Sequence, residues 1–176
     1  MLTAYSRGPL ITHGSDGDYY LETLSSCHEA ELASQIQEDT TATMILQNKS
    51  VEKLDYFTSM SEAEGLHWVI LHGSPAEICG IISVEEGSFE HCDHNLAIWI
   101  KPTHRRNGVA LEAICLALGL AKEQGVTEIE SKIHITNEPT LQLMSKVSRE
   151  FLTEKKSRMF DDYQEWVIKL SKDKDG

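Results

Sequence analysis

The period of the hydrophobic positions changes repeatedly along the chain, and each change marks a predicted element. Tyr19 to Leu24 is aromatic and β-compatible and predicts a first strand. Ser25 or Ser26 then caps a helix, with Glu29 three residues after Ser26 in capping-box position. Its apolar stripe is Ala30, Ala33 and Ile36, with Leu32 beside them. After a loose connector, residues 40–49, Ser50 caps a second helix over Val51 to Ala63. Val51, Leu54, Phe57 and Met60 face inward, and Gly65 is the expected left-handed cap at its end. Leu66 to Leu71 and Ile78 to Val84 read as an antiparallel hairpin around His72-Gly73-Ser74-Pro75.

A polar stretch, Glu85 to His94, leads to the short apolar run Leu96 to Ile100, a buried strand that Pro102 should stop. From Val109 to Gln124 the pattern is helical and apolar nearly all round, as for a helix packed on a sheet, and Gly125 supplies the cap. Val126 to Ile135 follows as a strand with Ile129, Ile133 and Ile135 alternating, completing a right-handed βαβ unit. Asn137-Glu138-Pro139 opens another helix, with Leu141, Met144 and Val147 on one face. Strands over Phe151 to Met159 and Tyr163 to Leu170 close the pattern. The lead-in, residues 1–18, carries one extended piece at Leu10 to Thr12, and residues 171–176 form a frayed tail. The expected architecture is one mixed α/β domain over residues 1–176, a central sheet of about seven strands with about four helices.

Charge changes the picture of partners. The 176 residues carry a formal net charge of -12, which argues against nucleic acid and anionic membranes and favours cationic ligands, although acidity also serves solubility. Cys27, Cys79, Cys92 and Cys115 show no CxxC spacing and read as reduced thiols of a cytoplasmic protein. No signal-like N-terminus is seen, and no apolar run approaches the ~18 residues of a membrane span. His91, Cys92 and His94 match no closed zinc pattern, so no metal is expected.

The chemistry concentrates in the turn after Ile100. Arg105 and Arg106 precede Gly108 and a helix N-terminus, where unpaired amides and the positive dipole end favour a phosphate or pyrophosphate. Arg105-Arg106-Asn107-Gly108-Val109-Ala110 resembles the acyl-CoA pyrophosphate loop of the GNAT family of N-acetyltransferases, whose pattern is Gln/Arg-x-x-Gly-x-Gly/Ala. The order of predicted elements is similar to that family's acyl-CoA N-acyltransferase fold over nearly the whole chain. Ala97-Ile98-Trp99-Ile100, and Asn137 with Thr140, resemble the ribosomal-protein (RimJ/RimL-like) branch.

The resemblance implies acetyl-CoA as co-substrate. The backbone of Ile98, Trp99 and Ile100 would bond the pantetheine arm as an added strand would. Arg105 and the amides of Arg106, Asn107, Gly108, Val109 and Ala110 would hold the pyrophosphate, with His104 structural or in contact with CoA. Asn137 would bond the pantetheine through its amide. This chain departs from the family in placing Met144 where many members carry a proton-donating tyrosine, and in reading Lys146-Val147-Ser148-Arg149-Glu150-Phe151 just after it. Thr140 stands either as a donor to the sulfur or as a cap.

Amine acetylation needs a base for the ammonium proton and a donor for the developing oxyanion. Glu85, Glu86, Glu90 and His94 are the candidate bases, with Glu85 preferred because it directly ends an apolar strand; an N–H around Ile98 or Trp99 is the candidate oxyanion donor. The expected activity is acetyl transfer to a primary amine, a protein N-terminus or a small polyamine-like molecule, by direct attack through a tetrahedral intermediate. Two alternatives stand beside it: a CoA-binding protein of the same fold with little transferase activity, and an interaction module that grips phosphate. Expected partners are a small-molecule or peptide amine, with assembly open between monomer and homodimer.

Overall fold

The computed structural model describes residues 10–14, 17–39, 64–73, 75–156 and 162–170. The expected helix over Val51 to Ala63 lies outside them, as do its connector, Ser74, most of the lead-in and the tail. Strands β1 (Leu10–Gly14) and β2 (Gly17–Thr23) precede helix α1 (Ser26–Glu38); β3 (Gly65–His72), β4 (Glu77–Glu86) and β5 (His94–Ile100) follow. Then come α2 (Val109–Glu123), β6 (Glu128–His134), α3 (Glu138–Glu150), β7 (Leu152–Lys156) and β8 (Tyr163–Lys169). Among the described residues the strands form an 8-stranded sheet in the order β1-β2-β3-β4-β5-β6-β8-β7. The strand beyond the expected count is β1, read from sequence only as an extended piece.

Two layers of helix enclose the sheet. On one face α2 and α3 pack over Leu66, Trp68, Ile82, Val84, Leu96, Ile129 and Ile168 in a continuous core. On the other, Leu32, Ala33 and Ile36 of α1 cover Val69, Leu71, Ile78 and Ile81. The period-2 alternation of the strands distributes side chains between these faces.

Several local readings change. The capping pair of α1 is Ser25 with His28, the Ser25 amide donating to His28 Nδ1 at 3.1 Å, and Glu29 is instead buried at 7% exposure. Gly65 begins β3 with φ +131, where a Cβ would sit 2.4 Å from the Val84 carbonyl oxygen, so close strand approach requires the glycine. Strand β6 stops at His134, and Ile135, expected inside, is 54% exposed. At the end of α2, Gly125 (φ +88) donates to the Lys122 carbonyl at 3.0 Å and Val126 to that of Ala121 at 3.1 Å, closing the helix as expected.

Candidate active site

Strands β5 and β6 run parallel but pair only at Asn95 and Glu130, and beyond that bridge they part. Which backbone groups face the gap follows from alternation. Lys101 donates its N–H to Cys79 on β4 at 2.8 Å, so Trp99, Ala97 and Asn95 also turn their backbone groups to β4, and Ile98 and Ile100 turn theirs toward β6. Ile98 is therefore the first residue past the bridge whose N–H and C=O point into the gap. Trp99 drops out of the expected edge set: its backbone pairs with Ile81, and its indole Nε1 donates to Asp39 Oδ2 at 2.9 Å. An extended, amide-bearing arm fits such a gap, because it can complete the ladder that the parted strands leave open.

The turn following β5 is shaped by unusual backbone. Arg106 has φ +65 and is the sole non-glycine residue with positive φ among the described residues; Gly108, the N-cap of α2, has φ +83. A Cβ at Gly108 would meet nothing within 4 Å, so the surface there is open. The amides of Arg106, Asn107, Gly108, Ala110 and Leu111 have no backbone partner among the described residues. Together with the N-terminus of α2 they make a concave set of donors suited to a diphosphate. The Val109 amide is engaged, donating to Asn107 Oδ1 at 3.2 Å. That bond orients the Asn107 amide, whose Nδ2 donates to the Tyr19 hydroxyl at 3.0 Å, and Tyr19 in turn meets His104 Nδ1 at 2.9 Å.

Arg105 does not reach toward the turn's donor surface. Its Nε donates to the Ile100 carbonyl at 2.8 Å, and its Nη2 forms a short ion pair with Asp39 Oδ2. Asp39, 6% exposed at the end of α1, thus holds both the arginine and Trp99. This is a tether between α1 and the turn before α2, and it occupies a side chain that the resemblance assigned to phosphate.

Across the gap, Asn137 caps α3, its Oδ1 accepting the Thr140 amide at 3.4 Å, which leaves the Nδ2 donor for a ligand. Thr140 is half-buried beside it. Met144 is 2% exposed within the core under α2, so a tyrosine ring would not fit there without displacing neighbours.

The candidate bases separate by face. Glu85 accepts from Asn95 Nδ2 at 2.9 Å on the α1 side. Strand β4 runs on to Glu86, which pairs with His94 on the α2 side, next to the bridge that closes the gap. Glu86 Oε2 is buried with no hydrogen-bond partner among the described residues. Glu90 lies exposed in the connecting loop. His91 in the same loop joins the α1 side instead: its amide donates to Glu130 Oε2 and its Nε2 meets Glu165 Oε2, both at 2.7 Å. Glu130 and Glu165, 8% and 3% exposed, were not singled out from sequence. A carboxylate in the polar slot of an alternating strand is the one signal that marks them. Lys132 Nζ is 3.4 Å from Glu165 Oε1.

No curated protein matches this sequence. Among solved structures, Mycobacterium smegmatis RimJ in complex with CoA-disulfide is 14% identical, with a TM-score of 0.67 over 93% of this chain and 86% of that one. The spermidine N-acetyltransferase of Vibrio cholerae, in complex with CoA and spermine, is also 14% identical, with a TM-score of 0.66 over 89% and 97%. The yncA protein of Salmonella typhimurium, with its cofactor acetyl-CoA, is 10% identical, with a TM-score of 0.66 over 89% and 96%. The family model described as the acetyltransferase (GNAT) domain matches residues 19–148, which span the gap, the turn and most of α3: the chain belongs to the GNAT acetyltransferases, acetyl-CoA-dependent enzymes.

Proposed function

We propose that this protein acetylates a cationic primary amine, either a polyamine or the N-terminus of a basic peptide, in the manner of the RimJ-like branch. The observation that carries this reading is the gap between β5 and β6. It opens at the donor-rich turn around Gly108 and closes beside Glu86 and His94. Acetyl-CoA supplies the activated acetyl group. The amides of Arg106, Asn107, Gly108 and Ala110 hold its diphosphate, the Ile98 edge and the Ile100 N–H hold its extended arm, and the Asn137 amide bonds the arm from the α3 side. At the narrow end, the Ile98 N–H is the donor nearest the bridge for oxygen charge that develops during transfer. Glu86, with its unpartnered oxygen, takes the ammonium proton, directly or through His94.

The cationic acceptor is supported by the net charge of -12 and by the carboxylates of Glu85, Glu130 and Glu165 gathered on the α1 face. The Vibrio cholerae relative, solved with spermine, supports the same class. A cytoplasmic site of action agrees with four unpaired cysteines, and no helix of the described residues is long and apolar enough to cross a membrane.

The test is thiol release from acetyl-CoA over a panel of spermidine, a basic peptide and an anionic amino acid, at several ionic strengths. Spermidine or the peptide should react fastest, with efficiency falling as salt screens attraction over a Debye length of ~8–10 Å. Equal salt dependence for all three acceptors would remove charge from the choice of amine. Buried Met144 favours a second reading, a CoA-binding protein of low transferase activity, because the usual acid is lacking at that position. Tight CoA binding with no thiol release from any amine would establish it. Within the first reading, Glu86→Gln should lower kcat by ~10²-fold without weakening CoA binding, while Glu85→Gln should leave kcat near that of the wild type.

A further inference from the structure

We propose that His72, Glu77 and His104 form a binding site for a divalent transition metal of the zinc class, at the sheet end behind the cofactor turn. The three come from separate elements, the end of β3, the start of β4 and the 3₁₀ turn Pro102–His104, yet one ligand atom of each lies within 4.8 Å of the others. Two imidazoles and one carboxylate are a donor set that zinc takes with a fourth position left to water. Such donors must close to ~3.5 Å separations around an ion with bonds of ~2.1 Å, a movement that side-chain rotation supplies. His104 Nε2 already stands 3.6 Å from Glu77 Oε1.

Three further observations point to a ligand. His72 Nε2 is buried and has no hydrogen-bond partner among the described residues, a costly state for a polar atom unless an ion or water meets it. His104 meets the Tyr19 hydroxyl through Nδ1 at 2.9 Å, the outer bond that a metal-ligating histidine ordinarily makes, and this leaves Nε2 for the ion. Glu77 accepts a hydrogen bond from Lys101 Nζ. That hydrogen bond, at 2.6 Å from Lys101 Nζ, involves Oε1 alone, and the side chain is 46% exposed, which leaves Oε2 and an entry path.

Binding selects the His104 tautomer with a proton on Nδ1, donated to Tyr19. Tyr19 holds Asn107, and Asn107 holds the Val109 amide, so the ion fixes the turn at the head of α2. This coupling, though not the site, rests on the reading of that turn as the CoA diphosphate site.

The test begins with Co²⁺ added to the metal-free protein without CoA. One equivalent per chain should bind, giving the intense visible bands of a four-coordinate site, and Zn²⁺ should displace it. His72→Gln and Glu77→Gln, each checked for fold by circular dichroism, should weaken Zn²⁺ binding at least tenfold, while His91→Gln should not. Unchanged binding in both ligand variants, sulfur-to-metal charge-transfer bands, or no binding by the wild type would each overturn the site. CoA affinity measured with and without Zn²⁺ then tests the coupling. A site that binds Zn²⁺ while CoA affinity stays constant would overturn the coupling alone, and failure of CoA to bind at all would concern only the transferase reading.

Discussion

The two faces of the sheet are built to different rules. Under α2 and α3, side chains from six strands and both helices merge into one apolar cluster, with Ile114, Ala117 and Leu118 at 0–1% exposure. Under α1, among the described residues, the apolar cluster is smaller and reaches Val69 and Ile81. Beyond it the same face turns polar, with His67 bonded to Ser83 at 2.9 Å, Glu85 to Asn95, and His91 to Glu130 and Glu165. Dense apolar packing holds α2 rigid, so its N-terminus presents fixed backbone donors, a surface suited to a diphosphate. Buried polar pairs contribute little net stability but specify orientation, which is what recognition of a charged acceptor requires. On the proposed function, the first face would secure the cofactor and the carboxylates of the second would attract the amine.

Substitutions on the two sides should therefore fail differently. The largest expected effect is Leu118→Ala, which opens a cavity in the main core and should lower unfolding free energy by about 2–5 kcal/mol, read by urea denaturation. If it cost no more than a surface substitution, the rigid-face account would fall. Gly108→Glu should spare the fold, since nothing crowds that position, apart from the strain of φ +83. It puts a carboxylate among the diphosphate donors, and CoA affinity by calorimetry should drop ~100-fold, about 2.7 kcal/mol. Unchanged affinity in the folded variant would remove the diphosphate assignment.

Asp39→Asn tests the tether that crosses from one face to the other. Loss of its charge-assisted bond to Arg105 should cost about 1–2 kcal/mol of stability and loosen CoA binding several-fold. Equal CoA affinity would show that Arg105 needs no anchor from α1. The smallest effect sharpens the contrast at β4. Burial pushes the Cys79 thiol up to about 12 from an ordinary value near 9, and its S–H donates to the Ile70 carbonyl. Between those values the unfolded chain releases this proton and the folded chain keeps it. The thiol's contribution is thus complete below pH ~9 and is lost toward pH ~12, with a slope of at most ~1.4 kcal/mol per pH unit. Cys79→Ala should be less stable at neutral pH but show a shallower decline above pH ~9, measured by denaturation across that range.

Much of this was legible from periodicity, because burial on one or two faces leaves its mark on neighbours in sequence. The parallel β5–α2–β6 unit, the hairpin of β3 and β4, the Gly125 cap and the Asn137 start all depend on residues within one turn or one strand of each other. What was hidden depends on register. Glu85 and Glu86 are adjacent in sequence, yet they point to opposite faces, and only the pairing of Glu86 with His94 shows which one neighbours the closed end of the gap. Arg105 fits the phosphate motif by spacing, but its partner Asp39 lies 66 residues away. Trp99 likewise reads as an edge residue until the Lys101–Cys79 bond sets the phase of the ladder. The His72–Glu77–His104 cluster escapes any spacing rule because its members meet only when the ends of three elements converge.

The single bridge between β5 and β6 also bears on how the molecule opens. Strands on either side of it are hydrogen-bonded in register, β2 to β5 on one side and β6 to β8 and β7 on the other. Mechanically the sheet is two ribbons sharing one rung, and α2 is the covalent link between them. The ribbons can therefore separate in part without either one unravelling, at a free energy below that of global unfolding. Amide exchange should report this as fast labelling at Ile98 and Lys132, flanked by slow labelling at Trp99 and Ile133. An occupant laid along both rails would convert the two ribbons into one cooperative unit.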